Sequence, residues 1–488
     1  MQTNHVDVLV VGAGVSGVGA GYHLQTKCPG KNYAILEARD RLGGTWDLFR
    51  YPGIRSDSDM YTFSYTFKPW TDSRYIAGGS TILAYVQETA REHGIDRHIR
   101  YGHRALKAAW SSETALWTVD VERGPDNELV QYTCHFLYMC AGYFSYARGY
   151  TPDFAGIERF KGRVVHPQQW ADDVDCAGKC VVVIGSGATA VTLIPELAKT
   201  AAHVTMLQRS PTYMLSWPAE DKVARIIRRI FPDRIAHALS RGQYVVLMMV
   251  FFRMARLWPG LLRRILIGRV RAELGPEYDI AKHFTPRYNP WDQRLCLVPD
   301  SDLFQAIRNG KASVVTDRIV RFTEHGIALE SGAELEADLI VTATGLDLQM
   351  VGGIDISVDG AQIDIGQCLQ YKGAMFSGIP NMASCFGYTN ASWTLKADLV
   401  SEYVCRLLQH MDATGARQCT PVLTDPTIQP EPFVDFSSGY FQRSAGKFAR
   451  QGSKRPWKLY QNYALDIAML RFGKIDDATI AFSNPPGR

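Results

Sequence analysis

At 488 residues the chain is long enough for two or three domains that each bury a core of their own. A hydrophobic content of 46% and a charged content of 21% are ordinary for a soluble protein, and a net charge of +4 without a basic tail argues against nucleic-acid binding. The ten cysteines form no CxxC pair and there is no HExxH motif, so we assign no metal and expect reduced, mostly buried cysteines.

The first predicted element is an apolar strand over residues 8–11, which runs into a glycine-rich turn and then a helix. The N-terminal amides of such a helix can hold a pyrophosphate. The candidate contacts are Gly12, Gly14, Ser16 and Gly17. Glu37 follows the next strand and can accept hydrogen bonds from a free ribose 2′-hydroxyl, so this site should take FAD or NAD. Because the strand begins within a few residues of the N-terminus, we expect no signal peptide and a cytoplasmic protein.

A loop rich in glycine and aromatic residues follows at residues 41–57. Its Gly43-Gly44 step lets the backbone approach a flat ring system, and Trp46 offers a stacking or edge contact. Asp57 lies beyond a rigid Tyr-Pro-Gly turn and is predicted to point back at that pocket. The candidate cofactor contacts in this loop are Gly44, Thr45, Trp46, Asp47, Leu48, Arg55, Ser56 and Asp57.

A second strand, turn and helix are predicted over residues 181–190. The candidate pyrophosphate contacts are Gly185, Ser186, Gly187, Ala188, Thr189 and Ala190. Here the next strand ends in Arg209 and Ser210, and an arginine at this place suits a 2′-phosphate. The second site should therefore take NADPH. Two dinucleotide sites in one chain indicate that electrons pass between them.

The alternation of short apolar strands with helices predicts an α/β fold with two doubly wound Rossmann-like domains, the second inserted in the first. Residues 1–150 form the first part of the FAD domain, and residues 151–335 form the NADPH domain. A strand at 338–345 then returns the chain to the FAD domain, which residues 336–488 complete. In that last part we expect a helix over 395–408 and a long irregular loop or lid over 430–457.

A helical insertion is expected at about 217–285, and within it residues 220–273 contain eleven arginines between apolar stretches. The apolar run 244–252 has nine residues, far short of the ~20 that cross a bilayer. Two interpretations stay open. The insertion packs over the active site or in a subunit contact, or it is a basic amphipathic surface that rests on anionic lipid at the inner face of the membrane.

Two motifs carry a resemblance to a known family. Residues 44–57 fit the pattern GxWxxxxYPGxxxD, and residues 160–170 fit FxGxxxHxxxW. Both are similar to the signatures of Baeyer–Villiger monooxygenases, a class of flavin-dependent monooxygenases. Trp170 favours this branch over the plain flavin-containing monooxygenases. At 44–57, 288–294 and 387–393 the chain most resembles the ethionamide-activating subgroup of bacterial enzymes.

This resemblance implies that NADPH reduces FAD and that reduced flavin captures O₂ as a C4a-peroxyflavin. The adduct then converts a ketone into an ester or lactone, and sulfides or thioamides can be oxygenated in the same site. It also implies that Arg294 stabilises the negative charge of the peroxyflavin and of the adduct, and that Asp57 orients Arg294. Ala105 falls where the family's backbone holds the adenine. The family often has a lysine before this arginine, whereas Gln293 stands here, so Arg209 and Ser210 should carry more of the NADPH preference.

Several alternatives stay open. Arg294 could be only a structural ion pair, His166 is more consistent with a domain hinge than with proton transfer, and Trp393 could serve the flavin or the core. A heteroatom oxygenase with little ketone activity is the second enzyme hypothesis. A disulfide reductase would need a cysteine pair near the flavin, and Cys28 stands alone after the first nucleotide turn. The natural substrate and the oligomeric state are left undetermined.

Overall fold

Each predicted glycine-rich turn follows a central strand of its own β-sheet. A computed structural model of the chain describes residues 3–72, 74–434 and 436–486. The first part contains strands β1 (Thr3–Val11), β2 (Tyr33–Leu36), β3 (Ile99–Arg100), β4 (His103–Ser111), β5 (Leu116–Arg123), β6 (Glu128–Met139) and β7 (Phe144–Gly149), and helices α1 (Val15–Lys27), α2 (Thr45–Leu48), α3 (Met60–Phe63) and α4 (Gly79–Glu92).

The middle part carries the second turn and a group of helices. Its strands are β8 (Arg163–Val165), β9 (Cys180–Ile184), β10 (His203–Gln208), β11 (Met214–Trp217), β12 (Cys296–Pro299), β13 (Ala312–Thr316), β14 (Ile319–Phe322), β15 (Gly326–Leu329), β16 (Glu334–Glu336) and β17 (Leu339–Thr342). Its helices are α5 (Ala188–Leu197), α6 (Lys222–Ile230), α7 (Asp233–Leu257), α8 (Pro259–Leu274), α9 (Ile280–His283) and α10 (Asp302–Arg308).

The last part adds short strands and one long helix. Its strands are β18 (Leu346–Leu348), β19 (Asp355–Val358), β20 (Ala361–Ile363), β21 (Gln370–Tyr371), β22 (Met375–Phe376), β23 (Met382–Ser384), β24 (Gln418–Pro421), β25 (Pro430–Glu431), β26 (Gln451–Gly452) and β27 (Ile480–Ser483). Its helices are α11 (Trp393–Thr414), α12 (Gly439–Ser444) and α13 (Tyr463–Asp466). The helix expected over 395–408 is therefore longer at both ends.

The first sheet is built from both ends of the chain. Strand β1 lies between β2 and β6 and is parallel to both, with Val11 opposite Leu36 and Met139. Strand β23 extends the sheet beside β6, and β19 joins it at β4. The last part of the chain thus completes the domain that the first part begins, which confirms the inserted arrangement.

The second sheet is parallel and has the strand order β13-β10-β9-β17-β8. The apolar residues of β9 are buried on both faces, as expected for the central strand of a doubly wound domain. The glycine turn after β9 leads into α5 at the carboxyl edge of this sheet, where ligands bind in folds of this type.

The two segments that connect the domains lie side by side. Strands β7 and β18 pair in antiparallel fashion, with Leu346 opposite Gly149. His166 is held against the same place, because its Nε2 lies 3.1 Å from the carbonyl oxygen of Gly345 and its Nδ1 accepts from the backbone of Gln168. Burial lowers the pKa of His166, so the ring stays neutral in this contact. This geometry supports the hinge interpretation.

The helical insertion consists of α6 to α9 and lies between β11 and β12, which pair in parallel. Helix α7 has 25 residues, and its length and composition would be sufficient to cross a membrane, although 28% of its apolar window is buried within the protein. The expectation drawn from the nine-residue apolar run alone is therefore corrected. The run continues into a longer helix in which further isoleucine, leucine, methionine and alanine residues keep the mean hydropathy high.

The segment 430–457 is more ordered than the predicted irregular loop. It contains α12 and the paired strands β25 and β26. Phe433, Phe441 and Phe448 of this segment are buried in the core on one face of the first sheet. Aromatic packing therefore holds most of this segment against the FAD domain, which corrects the description of it as irregular.

Candidate active site

The first glycine turn has the shape required for close contact with a ligand. Gly12 adopts a φ of +103°, and a β-carbon there would lie 2.7 Å from the carbonyl oxygen of Cys140. Gly14 precedes α1 without a side-chain cap, so the amides at the start of this helix face the turn. Gly17 also lies against the backbone, because a β-carbon there would lie 1.8 Å from the carbonyl oxygen of Gly12.

The buried carboxylate of Glu37 stands beside this turn. Its Oε2 accepts a hydrogen bond from the backbone of Ala13 at 2.9 Å, and its Oε1 accepts one from Arg39 at 3.0 Å. Burial raises the pKa of Glu37, and these two hydrogen bonds oppose the rise. The Glu37 carbonyl accepts from His103 at the start of β4, the strand that carries Ala105. The structure thus places Glu37 and β4 together beside the first turn.

The loop from Gly44 to Leu48 approaches the same turn from the other side. A β-carbon at Gly44 would lie 3.0 Å from Cα of Gly14. Thr45 begins α2 and its hydroxyl neighbours that of Tyr146, and the Trp46 ring meets Phe63 edge-on at 5.7 Å. Asp47 is buried and forms an ion pair with Arg39 at 2.6 Å. The ion pair between the Asp47 carboxylate and Arg39 therefore helps to hold this loop in place.

The second glycine turn is open toward the cleft. Gly185 has a φ of +135° and packs against the carbonyl oxygen of Ala343, whereas a β-carbon at Gly187 would meet no atom within 4 Å. Ser186 donates to the carbonyl oxygen of Ser210 at 3.1 Å, which holds the turn against the end of β10. The exposed side chain of Arg209 lies next to this contact and has no bonding partner among the described residues.

The loop that leads to Asp57 is docked on the second domain at three points. The Tyr51 hydroxyl lies beside that of Thr189, an interaction that opposes the burial raising the pKa of Tyr51 to about 12. A β-carbon at Gly53 would lie 3.0 Å from Cβ of Glu196 on α5. Arg55 forms an ion pair with Asp302 of α10. The predicted cofactor contact Arg55 is thus engaged between the domains.

Asp57 and Arg294 meet at the end of this loop. Their Oδ2 and Nη2 atoms are 2.7 Å apart, and their side chains remain 31% and 39% exposed. The charge of Asp57 raises the pKa of Arg294 further above its usual range, and desolvation opposes this rise. The neighbouring Ser56 is buried, and its hydroxyl donates to the Ser58 carbonyl at 2.7 Å, so it shapes the turn before Asp57.

A chain of contacts connects this ion pair with the first glycine turn. The Trp393 Nε1 donates to Oγ of Ser16 at 2.7 Å, and the Trp393 ring stacks on Tyr143 at 5.1 Å between centroids. The hydroxyls of Tyr143 and Tyr440 both neighbour Arg294. Burial raises the pKa of each tyrosine, and the positive charge of Arg294 opposes the rise. Arg294 therefore lies within a few side chains of the first nucleotide turn.

No disulfide joins the cysteines, all of which lie within the described ranges. All ten are free thiols, and nine of them are buried. Cys140 and Cys385 both lie beside the first turn. Sγ of Cys385 lies 3.4 Å from Oγ of Ser16, burial raises the pKa of this thiol to about 12, and burial raises the pKa of Cys140 well above its usual range. A neutral buried thiol is a poor nucleophile, which argues against the disulfide-reductase alternative.

Comparison with known proteins identifies the family. The chain matches the flavin-binding monooxygenase-like family over residues 6–352. It is 53% identical over 486 residues to the FAD-containing monooxygenase EthA of Mycobacterium tuberculosis, covering 99% of both chains. The chain belongs to the flavin-binding monooxygenase-like family. Membership confirms the expectation of a flavin monooxygenase.

Further relatives match over nearly their whole length and have related descriptions. The putative FAD-containing monooxygenase MymA of Mycobacterium tuberculosis is 49% identical, over 99% of this chain and 98% of the relative. The probable FAD-binding monooxygenase AlmA of Acinetobacter baylyi is 44% identical, over 98% and 96%.

Solved structures confirm the predicted fold. A steroid monooxygenase bound to NADP superposes with a TM-score of 0.75 at 24% identity, over 99% of this chain and 100% of that chain. A cyclohexanone monooxygenase with bound ε-caprolactone superposes with a TM-score of 0.76 at 20% identity, over the same shares. These structures confirm the two-domain α/β fold, while the 53% identity to EthA and the family match confirm the resemblance to flavin-dependent monooxygenases.

Three residues of this site do not emerge from the motifs. Tyr143 directly precedes β7, Tyr440 lies in the segment expected as a loop, and Asp302 begins α10. Two small residues and a glycine at 140–142 indicate that the backbone approaches another part of the protein closely. Tyr143 is the aromatic residue directly after them, and this position could have marked it as a candidate. No local pattern marks Tyr440 or Asp302, because their partners are distant in sequence.

Proposed function

We propose that this protein is an FAD-containing, NADPH- and O₂-dependent monooxygenase that inserts oxygen into ketones, and that it also oxygenates sulfides or thioamides. The observation that carries the proposal is the partly exposed Asp57–Arg294 ion pair, which side-chain contacts connect to both glycine turns. When bound, FAD would accept a hydride from NADPH and activate O₂ for transfer to the organic substrate.

The first turn fits FAD. The amides at the start of α1 are uncapped and can receive the pyrophosphate, while Glu37 keeps lone pairs for a ribose hydroxyl. Helix α11 also begins without a side-chain cap, since the Ser392 hydroxyl bonds to that of Thr62 at 2.6 Å. Its positive end is suited to the electron-rich pyrimidine side of a flavin. FAD is also named in the descriptions of the full-length relatives.

The second turn fits NADPH. The open space at Gly187 leaves room for a pyrophosphate at the start of α5, and the exposed guanidinium of Arg209 can pair with a 2′-phosphate. The turn at residues 51–53 lies against α5, so the loop that leads to Asp57 also contacts the nucleotide domain. This contact couples the binding of the second nucleotide to the position of Asp57.

Arg294 would stabilise negative charge on oxygen in the cleft. A guanidinium that is held in place by a carboxylate can donate hydrogen bonds to a developing oxyanion without having to reorganise first. Asp57 both orients Arg294 and keeps it charged, because its own negative charge favours the guanidinium cation. The Tyr143 and Tyr440 hydroxyls stay protonated and add neutral donors beside it.

Attack on a ketone carbon forms an oxyanion, whereas oxygen transfer to sulfur proceeds from an electrophilic, protonated oxygen. A fixed guanidinium favours the first reaction most strongly. The Asp57–Arg294 pair therefore favours ketone oxygenation over the heteroatom alternative. This preference is in line with solved neighbours named for cyclohexanone and a steroid.

A substrate panel tests the proposal. Purified protein is incubated with NADPH, ¹⁸O₂ and linear ketones, cyclic ketones, aryl sulfides or a thioamide, and the products are identified by mass. We expect esters or lactones that contain one ¹⁸O atom, together with oxygenated sulfur products. Sulfoxides without any ester or lactone would favour the heteroatom oxygenase. A preparation that binds no flavin would contradict the proposal itself.

A further inference from the structure

Exposed apolar side chains are concentrated on the helical insertion. Of the twenty large apolar side chains that are exposed in the described part of the chain, thirteen lie between residues 223 and 265. A concentration of this kind on one element marks an interaction surface, whereas single exposed apolar residues are ordinary. We call residues 222–272 the insertion surface.

Helix α7 presents an apolar stripe on its outer side. Its exposed members are Ile235, Leu239, Val246, Val250 and Leu257, which recur at helical spacing and lie along one side of the helix. Val246 is 60% exposed and Val250 is 51% exposed. The opposite side carries the buried Arg241 and Tyr244 and packs on the protein, so the apolar stripe faces away from the protein.

The flanking helices have the same character. On α6, Val223, Ile226 and Ile230 are exposed while Ala224 is buried. On α8, Leu261 and Ile265 are exposed while Leu262, Leu266 and Val270 are buried. Each of the three consecutive helices thus turns apolar side chains outward.

The insertion surface is also strongly basic. It contains Lys222 and eleven arginines, and Asp233 is its single acid, which gives a net charge of +11. Arg229, Arg253, Arg264 and Arg269 are exposed and have no ion-pair partner among the described residues. Apolar side chains with unpaired arginines beside them match the chemistry of a membrane surface that contains anionic lipid.

We propose that the insertion surface docks this protein on an anionic lipid bilayer. The apolar stripes would enter the boundary between headgroups and acyl chains, and the exposed arginines would contact lipid phosphates. A second copy of the chain is a poorer occupant, because two surfaces of charge +11 would repel each other. This inference is independent of the proposed reaction.

The contacts of α7 indicate that it lies on the bilayer and does not cross it. The guanidinium of Arg241, near the middle of the helix, donates to the carbonyl oxygens of Tyr61 and Ser64 at 3.0 and 2.8 Å. The Tyr244 hydroxyl donates to Asp221 at 2.9 Å. A spanning helix would have to break these buried contacts and bring Arg241 into hydrocarbon, which is costly.

Helix α7 also connects this surface to the candidate active site. Phe251 and Phe252 contact the Trp291 ring edge-on, at 6.4 and 6.0 Å between centroids, and Arg256 pairs with Asp292 at 3.3 Å. Trp291 and Asp292 lie just before Arg294 in the chain. A docked protein would therefore hold the loop that carries Arg294 close to the lipid, where apolar substrates are concentrated.

Sedimentation with vesicles tests the proposal on the flavin-loaded protein. One set of vesicles is phosphatidylcholine alone, and the other contains phosphatidylcholine and phosphatidylglycerol in equal parts. We expect binding to the second set only. We also expect release at high salt, because salt screens the attraction between the arginines and the anionic lipid. A double variant Val246→Asp and Val250→Asp, and a triple variant Arg253→Glu, Arg264→Glu and Arg269→Glu, should each bind at least about tenfold more weakly.

Matched substitutions away from the surface control for non-specific effects. Val320→Asp and Arg321→Glu change exposed residues of β14 in the same domain and should bind vesicles as the unaltered chain does. All variants should keep their flavin absorbance and their turnover of a water-soluble substrate in the absence of lipid. Failure of the docking proposal would thus leave the proposed reaction intact, and the reverse also holds.

Three outcomes would overturn the proposal. The first is equal vesicle binding by the unaltered chain and by both surface variants. The second is self-association without lipid, seen by analytical ultracentrifugation and lost in the same variants, which would assign the surface to a second copy. The third is retention in vesicles after alkaline carbonate extraction, which would mean that α7 spans the bilayer.

Discussion

The carboxylate of Asp57 lies 2.7 Å from the guanidinium of Arg294, although the two residues belong to different domains. If this pair stabilises an oxyanion, Arg294→Ala should still allow reduction of the flavin by NADPH. Oxygenated product should fall by about 10²–10³-fold, as for the loss of a single oxyanion donor. Stopped-flow absorbance measures the reduction, and mass spectrometry measures the product.

Asp57→Asn should give a smaller loss, because the amide can still orient Arg294 but no longer supplies charge. Arg287→Ala changes an exposed arginine on the same stretch of chain and serves as the control. Unchanged lactone or ester formation in Arg294→Ala would make the pair a structural contact only.

A substitution at Gly187 distinguishes a structural role of the second glycine turn from a role in nucleotide binding. A β-carbon there meets no protein atom within 4 Å, so Gly187→Ala should leave the flavin content and the unfolding midpoint unchanged. The added methyl group should occupy the space left for the pyrophosphate and raise the KM for NADPH. Gly30→Ala, which also meets no atom within 4 Å, should leave that KM unchanged. Steady-state NADPH oxidation decides between these results.

Arg209 should decide the choice between the two nicotinamide cofactors. We expect Arg209→Ala to raise the KM for NADPH by about ten- to a hundredfold, from the loss of a charge-assisted phosphate contact, with little effect on NADH. Arg318→Ala, another exposed arginine of the same domain, provides the comparison. Because Gln293 replaces the lysine that the family often has, Arg209 should carry most of this preference. An unaltered ratio of NADPH to NADH use would show that the 2′-phosphate binds elsewhere.

The stability of the protein should depend on pH through Asp59. Burial raises the pKa of this carboxyl to about 6, although hydrogen bonds from Thr62 oppose the shift. The folded state therefore binds the proton more tightly than the unfolded state does. The contribution of this group is fully present below the unfolded pKa of about 4 and is lost as the pH rises through about 6.

Asp59→Asn cannot ionise, and asparagine is an equally good N-cap for α3. Between pH ~4 and ~7 the variant should gain stability relative to the unaltered chain, by up to about 3 kcal/mol. Urea unfolding followed by tryptophan fluorescence at several pH values measures the difference. A difference that does not change with pH would show that Asp59 ionises with an ordinary pKa.

Much of the nucleotide chemistry could be predicted from local sequence. In each motif a strand, a glycine turn and the first turn of a helix are contiguous. Glu37 in the first domain and Arg209 in the second follow at the end of the next strand. Short-range backbone geometry therefore connects each motif with its place in the fold. The same holds for the inserted domain, since the strand at 339–342 repeats the apolar pattern of a buried parallel strand. The prediction of an irregular loop at 430–457 was wrong, because the spaced phenylalanines of this segment pack on the face of a sheet whose strands are distant in sequence.

What the amino-acid sequence by itself indicated is therefore the two glycine turns, the nucleotides predicted for them and the α/β domains that carry them, because each depends on neighbours along the chain. The pairing of Asp57 with Arg294 was implied by the family resemblance, but the tertiary structure alone decided that Tyr143 and Tyr440 stand beside it and that the turn at 51–53 rests on α5. It also decided that the apolar stripes of the insertion face outward. These relations depend on which surfaces remain after two domains have packed, and no local periodicity encodes that.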